Sequence, residues 1–307
     1  MHATQPKKPQ AIKFKPKRSW RWVLSTALWI IAFVLMAASA IYQRRTGPTH
    51  PLRGVAQLNG VAYEYKLTRS GTTGEDAKVE FPDPGMDTTG LLYYKRYKVD
   101  EDHERVLMRV EGEKGNRKLV GLLPSQPPAG KLEYYITLHT PEGSINVPGD
   151  REVVIRFKGH VPPWVLAPHI ILIFIGMLFG MRTLLEALLG LPGTRWMAWT
   201  TFGLIFVGGM ILGPVVQKYA FGAAWTGVPL GWDLTDNKTL IMFIGWIIAV
   251  WFVGLRGKLQ PAGRWTTVLA ALLMIVVYLI PHSMYGSELD YSKVEQGVPA
   301  HQAIGQG

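Results

Sequence analysis

The sequence predicts a membrane protein of mixed class: an N-terminal transmembrane anchor, a periplasmic β-sandwich and a C-terminal four-helix transmembrane bundle. Three observations carry that prediction. Apolar residues gather into five runs, one near the N-terminus and four after residue 160, each close to the ~20 residues that cross a hydrocarbon core. The block between the first and second runs is polar and alternates with period two, as half-buried strands do. Lysine and arginine concentrate at alternate ends of the runs, which gives the chain a sided topology.

The anchor comes first. Residues 1–21 hold Lys7, Lys8, Lys13, Lys15, Lys17, Arg18 and Arg21 and no acid, so this arm is expected in the cytoplasm, ahead of a crossing over 22–42. Ala38-Ser39-Ala40 resembles a signal-peptidase site, but the long basic lead and long apolar run favour an uncleaved anchor. Four more crossings are expected over 164–189, 196–216, 240–255 and 265–280, within a segment 164–281. The basic residues Arg182/Arg195 and Arg256/Lys258/Arg264 mark the inner connections and agree with the N-terminal arm. An outer loop over 217–239 and the tail 282–307 then face the periplasm of a bacterial inner membrane. Gly176-x-x-x-Gly180 and Gly209-x-x-x-Gly213 put small residues on one helix face and are read as bundle packing.

Residues 51–160 form the expected β-sandwich. Ala77, Val79 and Phe81 alternate with Lys78 and Glu80, and Leu132, Tyr134, Ile136 and Leu138 with Glu133, Tyr135 and Thr137. Val153, Ile155 and Phe157 continue the pattern, and turn residues separate seven or eight such strands.

Composition narrows the function. The formal net charge of +11 is explained by topology, so no nucleic-acid partner is inferred; the expected partners are the bilayer and a membrane or periplasmic protein. With no cysteine, disulfides, thiolate metal sites, covalent c-type haem and a thiol nucleophile are excluded. His103, His139 and His160 are scattered through the strand region with no catalytic constellation around them.

The candidate chemistry is sided. His169 lies just inside the outer end of the second crossing and His282 at the outer end of the fifth. The loop FGAAWTGVPLGWDLTDNK, with Trp225, Trp232, Asp233, Asp236 and Lys238, joins the third and fourth crossings on that side. Lys218, Glu288 and Asp290 complete a polar outer-face set, and ionisable groups near a bilayer are candidates for function. Each also has a structural role available. Asp233 or Asp236 suits the N-cap of the fourth crossing, Trp225 and Trp232 suit the headgroup level, and His169 suits a hydrogen bond to another helix. His169 or His282 with nearby carboxylates would suit zinc, iron or manganese, although no HExxH spacing is present and the metal is left unknown.

Two resemblances add to this reading. The segment LPSQPPAGKLEYYITLHTPEG (123–143) resembles the proline-glycine turn and tyrosine-paired strand of immunoglobulin-like and fibronectin-like modules. FGAAW followed by WDLTDN resembles the WGxxWxWDxxE segment of haem-handling proteins in cytochrome c maturation. It differs in having Phe221 in place of the first tryptophan and the insertion 228–231 between Trp225 and Trp232. The resemblance implies haem as cofactor, with His169 and His282 as axial ligands and Trp225, Trp232 and Asp233 lining the porphyrin. The residues themselves imply no cofactor. They favour a non-enzymatic binding or assembly factor, serving a respiratory or other membrane complex, over a haem-handling or metal-binding protein or a transport component.

Overall fold

The computed structural model describes residues 18–305 apart from 86, 114 and 282–285. Among these, five helices are long and apolar enough to cross a membrane. They are α1 (Arg18–Thr46), α2 (Pro163–Leu188), a composite third helix, α5 (Leu234–Val253) and α6 (Pro261–Leu279). The composite helix runs through α3 (Thr194–Ile205), a π-helical stretch (Phe206–Leu212) and α4 (Gly213–Phe221). Pro163 and Pro261 open α2 and α6, where a missing N–H costs nothing and the fixed φ already suits a helix.

The helix exterior is apolar and banded. Exposed Trp164 and Trp232 lie at the end nearer the sheets, while Trp20, Trp22, Trp196, Trp251 and Trp265 lie at the other. Such rings suit the two headgroup levels of a bilayer. The interior holds Met177, Met181, Ala198, Trp246, Ala271 and Met274. α1 is more than a detached anchor: Leu28 and Ala32 are buried, Trp29 packs edge-on to Phe179, and Gln43 Nε2 donates to Tyr278 O.

Between α1 and α2 the described residues form eleven strands, more than the seven or eight expected. The surplus includes three-residue strands too short to show a period: β3 (Ser70–Thr72) and β7 (Arg109–Glu111). β1 (Leu52–Leu58) and β2 (Val61–Leu67) make a hairpin. One larger sheet runs β3, β11 (Val153–Lys158), β9 (Lys131–Thr140), β5 (Thr89–Arg96) and β6 (Glu104–Leu107), with β10 (Gly143–Val147) also on β9. The other runs β4 (Ala77–Pro82), β8 (Lys118–Leu123) and β7. The alternating residues fill one shared core: Phe81 from β4, Leu92 from β5, Tyr134 and Ile136 from β9, and Ile155 and Phe157 from β11. Each such side chain contributes about 1.5–3 kcal/mol by leaving water.

After α6 the chain returns to the sheet domain through β12 (Glu288–Leu289), α7 (Tyr291–Glu295) and β13 (Ile304–Gly305). The Tyr291 hydroxyl accepts from Lys131 N and reaches Gln126 Oε1, while Glu288 pairs with Lys131 and Glu295 with Arg96. The strand domain also touches the bundle directly, because Gly159 N donates to Ala220 O at 2.8 Å. A Cβ at residue 159 would stand 2.3 Å from Tyr219 O, so only glycine permits this approach.

Candidate functional site

The expected loop over 217–239 is mostly helix at both ends. α4 continues to Phe221, where Gly222 takes the left-handed conformation (φ 85°) and its N–H caps Lys218 O. α5 begins at Leu234 because Asp233 N-caps it, its Oδ1 accepting from Thr235 N at 2.7 Å and Asp236 N at 3.3 Å. Only residues 222–233 form the connector. They fold back over the first turn of α5: Asp236 Oδ2 accepts from Thr226 N (2.6 Å), Thr226 Oγ1 (3.1 Å) and Gln217 Nε2 (2.9 Å).

Beneath this connector is a cavity of about 230 Å³, bounded by α2, the composite helix, α5 and α6, with Arg156 of the strand domain and Ser287 of the tail at its upper edge. Its deep wall is apolar: Ile173, Met177, Ile205, Met242 and Met274. Its upper wall is polar, with His169, Gln217, Asp233, Asp236, Lys238 and Arg156. Phe221 and Trp225 lie at the same level.

His169 is held by the π-helical stretch, which contains Gly208 and Gly209 and runs into Pro214, a residue with no N–H to continue an α-helical ladder. Gly208 O accepts from Gly213 N and from His169 Nδ1 at 2.8 Å. A carbonyl only accepts, so Nδ1 carries the proton and Nε2 remains as the free ring nitrogen. Departures of this kind from the α ladder recur at functional sites.

Asp233 joins three parts of the molecule. Its Oδ2 accepts from Ser287 N at 2.5 Å and Ser287 Oγ at 2.8 Å, and Ser287 O accepts from Arg156 Nη2 at 2.5 Å. Arg156 comes from β11, is 8% exposed, and lies 4.0 Å over the Phe221 ring. Burial lowers its pKa to about 10, against the opposing pull of Asp233 and Glu288, so it stays charged at neutral pH. Its Nε is buried with no hydrogen-bond partner among the described residues. Lys238 is 3% exposed and donates to Ile280 O at 2.7 Å, which caps α6. Among the described residues neither cation has a carboxylate oxygen within 4.0 Å.

The expected outer-face cluster therefore divides. His169, Trp225, Asp233, Asp236 and Lys238 share the cavity. Trp232 does not: it is 74% exposed within the connector, outside the cavity lining, where its ring suits a headgroup anchor. Lys218 is also exposed, on the last turn of α4. Glu288 and Asp290 belong to the tail on the strand domain. Glu288 accepts from Lys131 at 2.9 Å, and Asp290 N-caps α7 through Ser292 N and Lys293 N. A hydrogen bond from the Ser292 hydroxyl holds the Asp290 carboxyl below the usual carboxylate range. Burial lowers the Lys131 ammonium, against the pull of Glu288. His282 lies outside the described residues. Among those described, no group of three histidines and carboxylates is arranged to hold a metal.

Arg156, Gln217, Thr226 and Ser287 enter the site without having been expected there. The single available signal was Arg156 itself, one charge in the apolar strand VVIRF just before α2. Together these features define a class: a bundle of membrane-length helices, roofed by a sheet domain, with a cavity that is apolar below and charged above. No family model matches the sequence, and no curated protein is similar to it.

Proposed function

We propose that the chain is a membrane-embedded binding factor, of the kind that serves assembly of a membrane complex. Its working surface is the face where the strand domain meets the helix bundle. One observation carries this: the cavity with its polar upper wall lies where strand domain, connector and tail are tied together through Arg156, Ser287 and Asp233. The positive arm and inner connections support a periplasmic position for this face, with the two sheets packed as a sandwich above it.

In-cell cross-linking of the full chain tests the proposal. A discrete protein partner that is lost when the strand domain is replaced by a flexible linker supports it. The same cross-linked species with and without that domain would contradict it.

A second reading, haem binding, is favoured by one observation. His169 Nδ1 is engaged by Gly208 O, which fixes the ring and leaves Nε2 in the manner of ligating histidines. The gently purified protein would then show a Soret band that His169→Ala removes. A colourless preparation excludes it.

A further inference from the structure

The upper wall of the cavity has hydrogen-bond donors to spare, while three of its four carboxylate oxygens are already engaged. Both Asp233 oxygens are taken by backbone and Ser287 donors, and Asp236 Oδ2 by three more. Arg156, which lines the cavity, is more than nine-tenths buried and has an Nε without a hydrogen-bond partner among the described residues. Lys238, equally enclosed, spends one of its three donors on Ile280 O. Two buried cations without a paired carboxylate are costly unless something supplies negative charge and acceptors.

The deep wall asks for the opposite chemistry. Met177, Met242 and Met274 give it flexible thioether surfaces that adapt to an irregular apolar guest. Met177 stands fourteen residues past Pro163, about 21 Å of helix rise below the strand domain, a depth that fits a hydrocarbon chain better than a small anion.

We propose that the cavity binds an anionic amphiphile, its carboxylate or phosphate head set between Arg156 and Lys238 and its hydrocarbon chain laid against Met177, Ile205 and Met274. This rests on the binding-factor reading and names its ligand. It is tested on the ligand alone, so its failure leaves the cross-linking result standing, and the reverse also holds.

The test is thermal unfolding of the full chain, followed by tryptophan fluorescence. In a neutral maltoside detergent the probes are decanoate, decanol, decyltrimethylammonium and acetate. In phosphatidylcholine nanodiscs the comparison is with and without phosphatidylglycerol. Stabilisation by decanoate but not decanol, decyltrimethylammonium or acetate supports a free fatty-acid-like ligand. Stabilisation by phosphatidylglycerol alone supports the same site with a lipid head.

Arg156→Gln and Lys238→Gln should each weaken the response about tenfold or more, the loss expected for one charge-assisted hydrogen bond. Gly213→Leu tests the space without touching a charge. A Cβ there has no neighbour nearer than 3.9 Å, one of them His169 Cε1, so the variant fits the helix, fills the cavity and should abolish the response. Equal stabilisation by decanol or decyltrimethylammonium, an equal response to acetate, an undiminished response in Gly213→Leu, or no response to any probe overturns the proposal.

Discussion

Buried charge is handled in opposite ways at the two ends of the bundle. Far from the strand domain, Arg182 and Glu186 are both buried and pair directly across one turn of α2. Glu186 also accepts Gly193 N, and the Arg182 guanidinium lies 5.6 Å from the Trp29 ring, so the pair binds α1, α2 and the turn before α3 together. Near the strand domain, Arg156 and Lys238 are as deeply buried, yet neither has a carboxylate partner within pairing distance among the described residues. Among the described residues both guanidinium groups leave an Nε unpaired, but Arg182 sits where helices pack and Arg156 lines an open volume. Charge at the far end is paired with opposite charge, while charge at the near end meets backbone carbonyls and lines the cavity.

Substitutions can break that contrast. The largest effect is expected from Glu186→Ala, which leaves Arg182 buried without its partner and should cost about 3–5 kcal/mol of stability in denaturant unfolding. Replacing both residues, as Arg182→Met with Glu186→Leu, should recover most of the loss. Asp233→Ala comes next, removing an N-cap and two bonds to Ser287 and costing about 2–3 kcal/mol in the same assay. Tyr291→Phe deletes the hydroxyl that ties the tail to Gln126 and Lys131. A loss of about 1 kcal/mol is expected, read as faster proteolysis of the tail with the bundle intact. Trp232→Ala should change stability in detergent by no more than about 0.5 kcal/mol, because the ring is exposed, and should show an effect only in a bilayer.

Much of the fold was legible because burial imprints its period on the chain. The alternation in β4, β9 and β11 and the five apolar runs reappear as buried faces and membrane-length helices. The start of α5 was legible only through Asp233 as a candidate N-cap, because its first turn, LTDNK, is polar. Its apolar run begins only after the capping turn that folds under the connector. The bulged path of the composite helix left no mark beyond glycines and Pro214.

At the site, sidedness grouped His169, Asp233, Asp236 and Lys238, which line one cavity, since charge topology orders residues along the helix axes. It could not order them laterally. Glu288 and Asp290 lie on the same side but follow the tail onto the strand domain, held by Leu289 N to Ala129 O and by Tyr291. Arg156 reaches Ser287 across 131 residues, a contact that no local pattern encodes.

The contrast between the two ends is tested most directly by Lys238→Met, measured for ligand-free stability and for decanoate response in one preparation. The account predicts a stability change within about 1 kcal/mol, since an unpaired buried charge is replaced by an apolar chain of similar length, together with loss of the decanoate response. A stability loss as large as that of Glu186→Ala, with the decanoate response intact, would show that Lys238 is a structural charge like Arg182 and would contradict the account.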